Sequence, residues 1–215
     1  MTTIISPLQR SIDAIAVAGI RILARPIAEG DEAALLPDER SVFMGRAIQV
    51  WRASGAARIA ARQLLLQAGR EPCAIPRSAT GAPIWPDGVV GSLAHDASVA
   101  IAAVAMQRDV LSVGIDVEPA EALEPDLTEL IATPQERAGL GDDPRQTRLL
   151  FSIKEAVYKA VYPLDRTFLD HHDVEVDWSA GLARVRGGRV VEVRWCLSTH
   201  IVALAFVRPS GAGRP

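Results

Sequence analysis

The sequence predicts an α+β protein made of two lobes that meet near Val110 to Glu118. Three observations lead there. Strand-like and helix-like stretches follow one another as strand, helix, strands and then again as strand, helix, strands. The chain has 215 residues, 49% of them hydrophobic, enough for one large domain or two small lobes with cores of their own. No repeat, low-complexity tract or long linker interrupts it. The expected division is an N-terminal lobe at 1–112 and a C-terminal lobe at 113–215.

Taken in order, "AIAVAGIRILA" (14–24) reads as a buried strand, and 41–68 reads as one helix or two, closed by Gly69 and Pro72. "PCAIPRSATGAPIWPDGVVG" (72–91) packs four prolines and three glycines into a loop held rigidly against the body. Val89 to Leu93 and Ser98 to Met106 read as strands around the turn "AHDA", and Val110 to Glu118 as another. A short helix is expected at Leu127 to Ala132 and a longer one from about Arg145 to Val161, stopped by Pro163. "LARVRGGRVVEVRW" is two alternating runs joined at Gly187 and Gly188, a hairpin signal, and "HIVALAF" pairs beside it.

The longest apolar runs, such as "VAIAAVAM", fall far short of the roughly 20 residues that cross a bilayer, so no membrane span is expected. Asp13 interrupts the N-terminal apolar patch and no cleavage site frames it as a signal peptide, which makes the cytoplasm the default location. Cys73 and Cys196 are two and widely spaced, and read as buried thiols rather than a disulfide or zinc framework. The formal charge of -3 is unevenly spread. Residues 41–70 carry five arginines and no acid, while 116–143 carry nine acids against Arg137 alone. The overall balance argues against bulk nucleic-acid binding and leaves a local anion site open.

Four sets of residues carry chemistry. In "SVGIDVEP" the period of a strand puts Gly114, Asp116 and Glu118 on one face, with the two carboxylates about 7 Å apart and able to converge on a hard cation. In "FSIKEAVYKAVYP" the only two lysines and the only two tyrosines of the chain sit within 13 residues. The other 21 basic residues are arginine, so a site that uses an ammonium as a proton donor or point charge explains why Lys154 and Lys159 are lysines. Glu155 lies between them, and Tyr158 and Tyr162 partly bury the pair. Arg58 and Arg62 are one helical turn apart in the acid-free stretch, Arg77 lies in the rigid loop and His95 in a turn; together they suit a bound phosphate. Each pattern taken singly is also that of an ordinary solvated surface.

Together the pieces resemble the 4′-phosphopantetheinyl transferases of the type that activates siderophore and surfactin synthetases. The family's motifs occur in order as "ARIAAR" (57–62), "PIWPDGVVGSLAHD" (83–96), "VGIDVEP" (113–119) and "FSIKEAVYKAVYPL" (151–164), with a weaker match at "IATPQERAGL" (131–140). The resemblance covers roughly residues 40–175. It implies two pseudo-twofold-related α/β lobes with the active site between them. It also implies transfer of phosphopantetheine from coenzyme A to a serine of an apo acyl-carrier or peptidyl-carrier protein, releasing 3′,5′-adenosine bisphosphate. Magnesium, or manganese in its place, is the implied metal, and the chain is expected to act as a monomer. Carried over residue by residue, Asp116, Glu118 and Glu155 match the metal-binding carboxylates and Lys154 and Lys159 the lysines of the K-E-x-x-x-K motif. Arg58, Arg62, Arg77 and His95, with Lys154, become coenzyme A contacts; Glu155 and Lys159 become the catalytic pair that takes the serine proton and protonates or neutralises the leaving phosphate. The chain departs from the family at Ala57 (usually Gly), Ala94 (commonly Ser or Thr), Asp96 (commonly Cys or Ser), Val50 and Ser54 (often Arg and Phe), with Arg46 or Arg52 as replacement for the missing arginine. Two alternatives stay open: a Mg²⁺-dependent nucleotide pyrophosphate hydrolase, and a non-catalytic coenzyme A-binding module.

Overall fold

The computed structural model describes residues 2–40 and 43–209. Ser41 and Val42, the start of the expected helix 41–68, lie outside the described residues. Two antiparallel sheets and six α-helices make up the described chain. The first sheet has the order β1 (Ile20–Pro26), β3 (Val99–Met106), β2 (Val89–His95). The second has the order β4 (Ser112–Pro119), β8 (His200–Val207), β7 (Val190–Leu197), β6 (Leu182–Val185), β5 (Val174–Asp177).

Strand alternation decides how these sheets stack. On β3, Ala102 and Val104 turn toward the long helix α3 (Ile48–Gln67), where they pack with Ala60, Ala61, Leu64 and Leu65. Ile101, Ala103 and Ala105 turn the other way and meet Val113, Ile115 and Val117 of β4 and Val202, Leu204 and Phe206 of β8. The opposite faces of β7 and β8, through Val191, Val193, Ala203 and Ala205, pack on the second long helix α6 (Gln146–Asp165). Four layers result: α3, first sheet, second sheet, α6. The mainly alanine face of β3 and the Ala-rich face of α3 let that helix lie close to its sheet.

The N-terminal strand expected at 14–24 is corrected. Helix α1 (Thr2–Ala14) ends on the first residue of that stretch, 15–19 are turn and loop, and Leu8 and Ile12, one turn apart, enter the core between the sheets; Gly19, at φ 88°, then turns the chain into β1. The apolar run 14–24 therefore joins a helix end to a strand. Pro163 also does not stop α6, which continues to Asp165 and ends at Arg166 in the left-handed region, φ 55°. The shorter helices are α2 (Pro37–Arg40), α4 (Leu127–Ile131) and α5 (Pro134–Gly139). Thr133 and Glu136 close a capping box on α5, which explains a helix at "TPQE". At the 185–190 hairpin Gly187 and Gly188 both have positive φ (96° and 92°), the conformation that this turn requires. No helix among the described residues is long and apolar enough to cross a membrane.

Candidate active site

Helix α6 crosses β4 at Gly114, where a Cβ would stand 1.9 Å from the carbonyl oxygen of Ala156. This contact sets the chemistry of the next residues. Beyond it the two elements run antiparallel, and Arg148, Ser152, Glu155 and Lys159, spaced four, three and four along α6, form a polar stripe over the acidic face of β4. Lys159 Nζ donates to Asp116 Oδ1 at 2.6 Å and to the Ile115 carbonyl at 3.3 Å, and Ser152 Oγ donates to Asp116 Oδ2 at 2.9 Å. Arg148 Nη1 donates to Glu118 Oε2 at 2.9 Å, while its other nitrogens hold the carbonyls of Glu121 and Ala122. His171 Nε2 stands 3.5 Å from Glu155 Oε1, its ring tilted against Phe151.

Asp116, Glu118 and Glu155 thus each face a basic side chain, Lys159, Arg148 and His171 respectively, and the carboxylates act on one another electrostatically. Burial pushes the Asp116 carboxyl up, with Lys159 opposing and Glu155 adding to the rise. Burial and the charge of Asp116 also raise Glu118, against Arg148. Glu155 is held below its ordinary value, first by the facing His171 ring and then by Lys159. Among the described residues no three His, Cys, Asp or Glu side chains close into a metal cage. Asp116 and Glu118 share one face of β4 and Glu155 comes from α6, so the three approach from two elements. The donor chemistry nevertheless fits Mg²⁺, which is usually held by one or two carboxylates together with waters and substrate phosphates rather than by an all-protein cage.

Across from this acidic edge lies a cationic recess of about 170 Å³, lined by Ser54, Ala57, Arg58, Arg77, Leu93, Ala94, His95, Asp116 and Lys159. Arg58 is fully buried: its Nε donates to the Ile75 carbonyl (3.0 Å), Nη1 to the Ser54 carbonyl (3.3 Å), and Nη2 has no partner among the described residues. Burial lowers its pKa to about 10, with Glu39, 3.4 Å from Nε, opposing and the charges of Arg77 and Arg62 adding to the fall. Arg77 is placed by the 76–84 loop, whose Ser78–Ala82 and Ile84–Pro76 backbone bonds confirm a constrained turn, and its guanidinium lies 5.3 Å from the Phe43 ring centre, close to that of Arg58 at 5.6 Å. Burial and the charges of Arg77 and Lys159 hold the His95 imidazole toward its neutral form. Beside the recess lies a larger cleft of about 560 Å³ that shares Arg58, Arg77, Leu93 and Lys159 with it. Trp85, Val89, Leu111, Tyr158, Tyr162 and Pro163 give this cleft its apolar walls, and two buried polar atoms on them, Trp85 Nε1 and Ser112 Oγ, lack partners among the described residues.

Two expected coenzyme A contacts lie elsewhere. Lys154 is buried, and its three N–H groups are taken by Glu136 (2.7 Å), the Ile131 carbonyl (2.8 Å) and the His171 carbonyl (2.9 Å), which leaves none for a phosphate. Arg62 is spent on the fully buried Glu39 (3.0 Å) and the Ala34 carbonyl (2.6 Å). Arg52, a proposed replacement for the missing arginine, pairs with Glu29 and Glu32. Ser152, Arg148 and His171 were not singled out from sequence. The stripe at 148, 152, 155 and 159 is the signal that finds the first two; nothing local marks His171, which arrives from the turn after α6.

Two family models match the chain in succession. The model of the 4′-phosphopantetheinyl transferase N-terminal domain matches residues 46–105, and that of the 4′-phosphopantetheinyl transferase superfamily matches 112–205. The 4′-phosphopantetheinyl transferase Svp of Streptomyces mobaraensis is 37% identical over 86% of this chain and 84% of its own length. The transferase PptT of Mycobacterium tuberculosis is 42% identical over 54% of this chain and 53% of its own, and enterobactin synthase component D of Escherichia coli 31% identical over 56% and 59%. With a relative 37% identical along most of both chains, and the two models matched in order, the chain belongs to the 4′-phosphopantetheinyl transferases.

Proposed function

We propose that the two adjoining cavities bind coenzyme A in one direction: phosphates in the recess of Arg58, Arg77, His95 and Lys159, and the pantetheine chain along Trp85, Tyr158 and Tyr162. The observation that carries this reading is the sharing of Arg58, Arg77 and Lys159 between a polar recess and an apolar cleft, which matches a donor with a charged end and a long, mostly apolar arm. The unpartnered Trp85 Nε1 and Ser112 Oγ suit the amides of that arm. The N-terminal lobe (1–112) then supplies the phosphate contacts and the C-terminal lobe (113–215) the carboxylates. Coenzyme A as donor supports a cytoplasmic setting.

In the reaction the carrier serine oxygen forms a bond to the phosphorus next to pantetheine, the bond from that phosphorus to the bridging oxygen breaks, and 3′,5′-adenosine bisphosphate departs. Asp116 and Glu118, with Glu155, would hold Mg²⁺ or Mn²⁺, which when bound neutralises charge on the pyrophosphate. Glu155, kept ionised by His171 and Lys159, accepts the serine proton. Lys159 has two of its three N–H groups engaged, so the third is available to the leaving phosphate. The test is incubation with coenzyme A, Mg²⁺ and an apo carrier protein, read by intact mass. A phosphopantetheine adduct on the carrier supports transfer. Cleavage of coenzyme A without labelling indicates the hydrolase, and binding with neither indicates the silent module.

A further inference from the structure

We infer that Ser54 is a phosphate-binding residue of this site, a role that rests on the coenzyme A reading above. Ser54 is 1% exposed, and its hydroxyl has no hydrogen-bond partner among the described residues. A serine inside a helix ordinarily turns its hydroxyl back onto a carbonyl of the preceding turn. This one instead lines the cationic recess. A buried hydroxyl left unpaired is costly, so a partner that completes it is expected.

The surroundings say which partner. Ser54 and Arg58 are one turn apart on α3, and Arg58 Nη1 bonds to the Ser54 carbonyl, which fixes the two relative to each other. Arg58 Nη2 is the second buried donor of the recess without a partner. Arg77 and Lys159 line the same space, and Asp116, already bonded to Lys159 and Ser152, is its one acidic side chain. Two unpartnered donors beside several positive charges call for a group that is anionic and only accepts hydrogen bonds. A phosphate has both properties; a water molecule would satisfy the hydroxyl and leave the charge. A phosphate oxygen that accepts from Ser54 Oγ and Arg58 Nη2 completes both at once.

The experiment is titration calorimetry of coenzyme A and of 3′,5′-adenosine bisphosphate against the wild-type protein and Ser54→Ala, with the melting temperature of each protein alone. The expected result is an affinity about tenfold lower or worse for both ligands in Ser54→Ala, the scale of a hydrogen bond to a charged group. The unliganded variant should melt at the wild-type temperature or above it, because the substitution removes an unpaired hydroxyl. Affinities within twofold of wild type overturn the inference. So does a loss of affinity accompanied by a clear fall in the melting temperature of the free protein, which marks a packing role. A wild-type protein that binds neither ligand overturns the coenzyme A reading and this inference with it.

Discussion

Lys154 and Lys159 lie five residues apart on α6 and do unrelated work. Lys154 is a buried tie between α6, α5 and the turn at His171, and burial pulls its pKa down against the opposing charge of Glu136. Lys154→Met should strand Glu136 and cost about 3–5 kcal/mol, the usual penalty for breaking one side of a buried pair; chemical denaturation measures it. Coenzyme A affinity of the protein that remains folded should hold. Lys159 is different, since it faces the cleft and keeps a donor in reserve. Lys159→Arg should lose roughly 10²-fold in single-turnover transfer if the ammonium gives up its proton, with coenzyme A affinity little changed; a rate within about threefold of wild type would reduce Lys159 to an electrostatic clamp. Asp116→Ala, Glu118→Ala and Glu155→Ala should each abolish transfer while preserving the fold, and wild-type rates in any two would remove them as metal ligands. Much of this was legible in the sequence. The scarcity of lysine marked the segment, and strand and helix periods put Asp116, Glu118, Glu155 and Lys159 on usable faces. What separated the two lysines was Glu136, which lies 18 residues from Lys154 on another helix, a distance that no local period reports.

At the scale of elements, two glycines govern how the long helices seat. A Cβ at Gly55 would stand 2.0 Å from the Asp31 carbonyl, and one at Gly114 would stand 1.9 Å from that of Ala156. Both neighbours are backbone and cannot swing aside, so α3 and α6 would have to move. Gly114→Ala should therefore destabilise by about 1–3 kcal/mol or more, read as a lower melting temperature. Transfer should fall further than stability does, on the order of 10²-fold, because a displacement near 1 Å at the reacting groups has that effect. The β2 to β4 run and the 187–188 hairpin were readable because alternation and paired glycines are local signals. Helix α1 was not, since its core residues Leu8 and Ile12 were overshadowed by the longer apolar run that follows and hides the helix end at Ala14.

Across the whole molecule, the two sheets are tied by a polar latch beside the recess. Asp96, next to His95, accepts from Ser98 N (2.6 Å) and Val99 N (2.7 Å) of its own turn and reaches His200 Nε2 on β8 at 3.0 Å. Burial pushes the Asp96 carboxyl up, but the His200 ring and the two backbone donors outweigh it and bring the pKa from 3.8 to about 2. A depressed carboxyl stabilises the fold above its unfolded value and ceases to as pH falls through the folded value. The contribution, roughly 2 kcal/mol, is thus present above about pH 4 and disappears toward pH 2. Asp96→Asn should lower stability at neutral pH and flatten the acid limb of the stability curve in that window, which denaturation at a series of pH values will show. The sequence flagged Asp96 only as a departure, because its partner lies about a hundred residues away. The meeting of the sheets has a further consequence. Strands β2 and β4 are both sheet edges, each paired on one side alone, and both line the large cleft. Among the described residues no hydrogen-bond ladder joins those two edges, and the bulky rings of Trp85, Tyr158 and Tyr162 line the cleft beside them. On the coenzyme A reading proposed above, exchanging those rings for smaller or larger side chains would change which thiol-bearing arm is admitted without redrawing either sheet, so donor range would be open to drift in evolution, or to engineering, separately from folding.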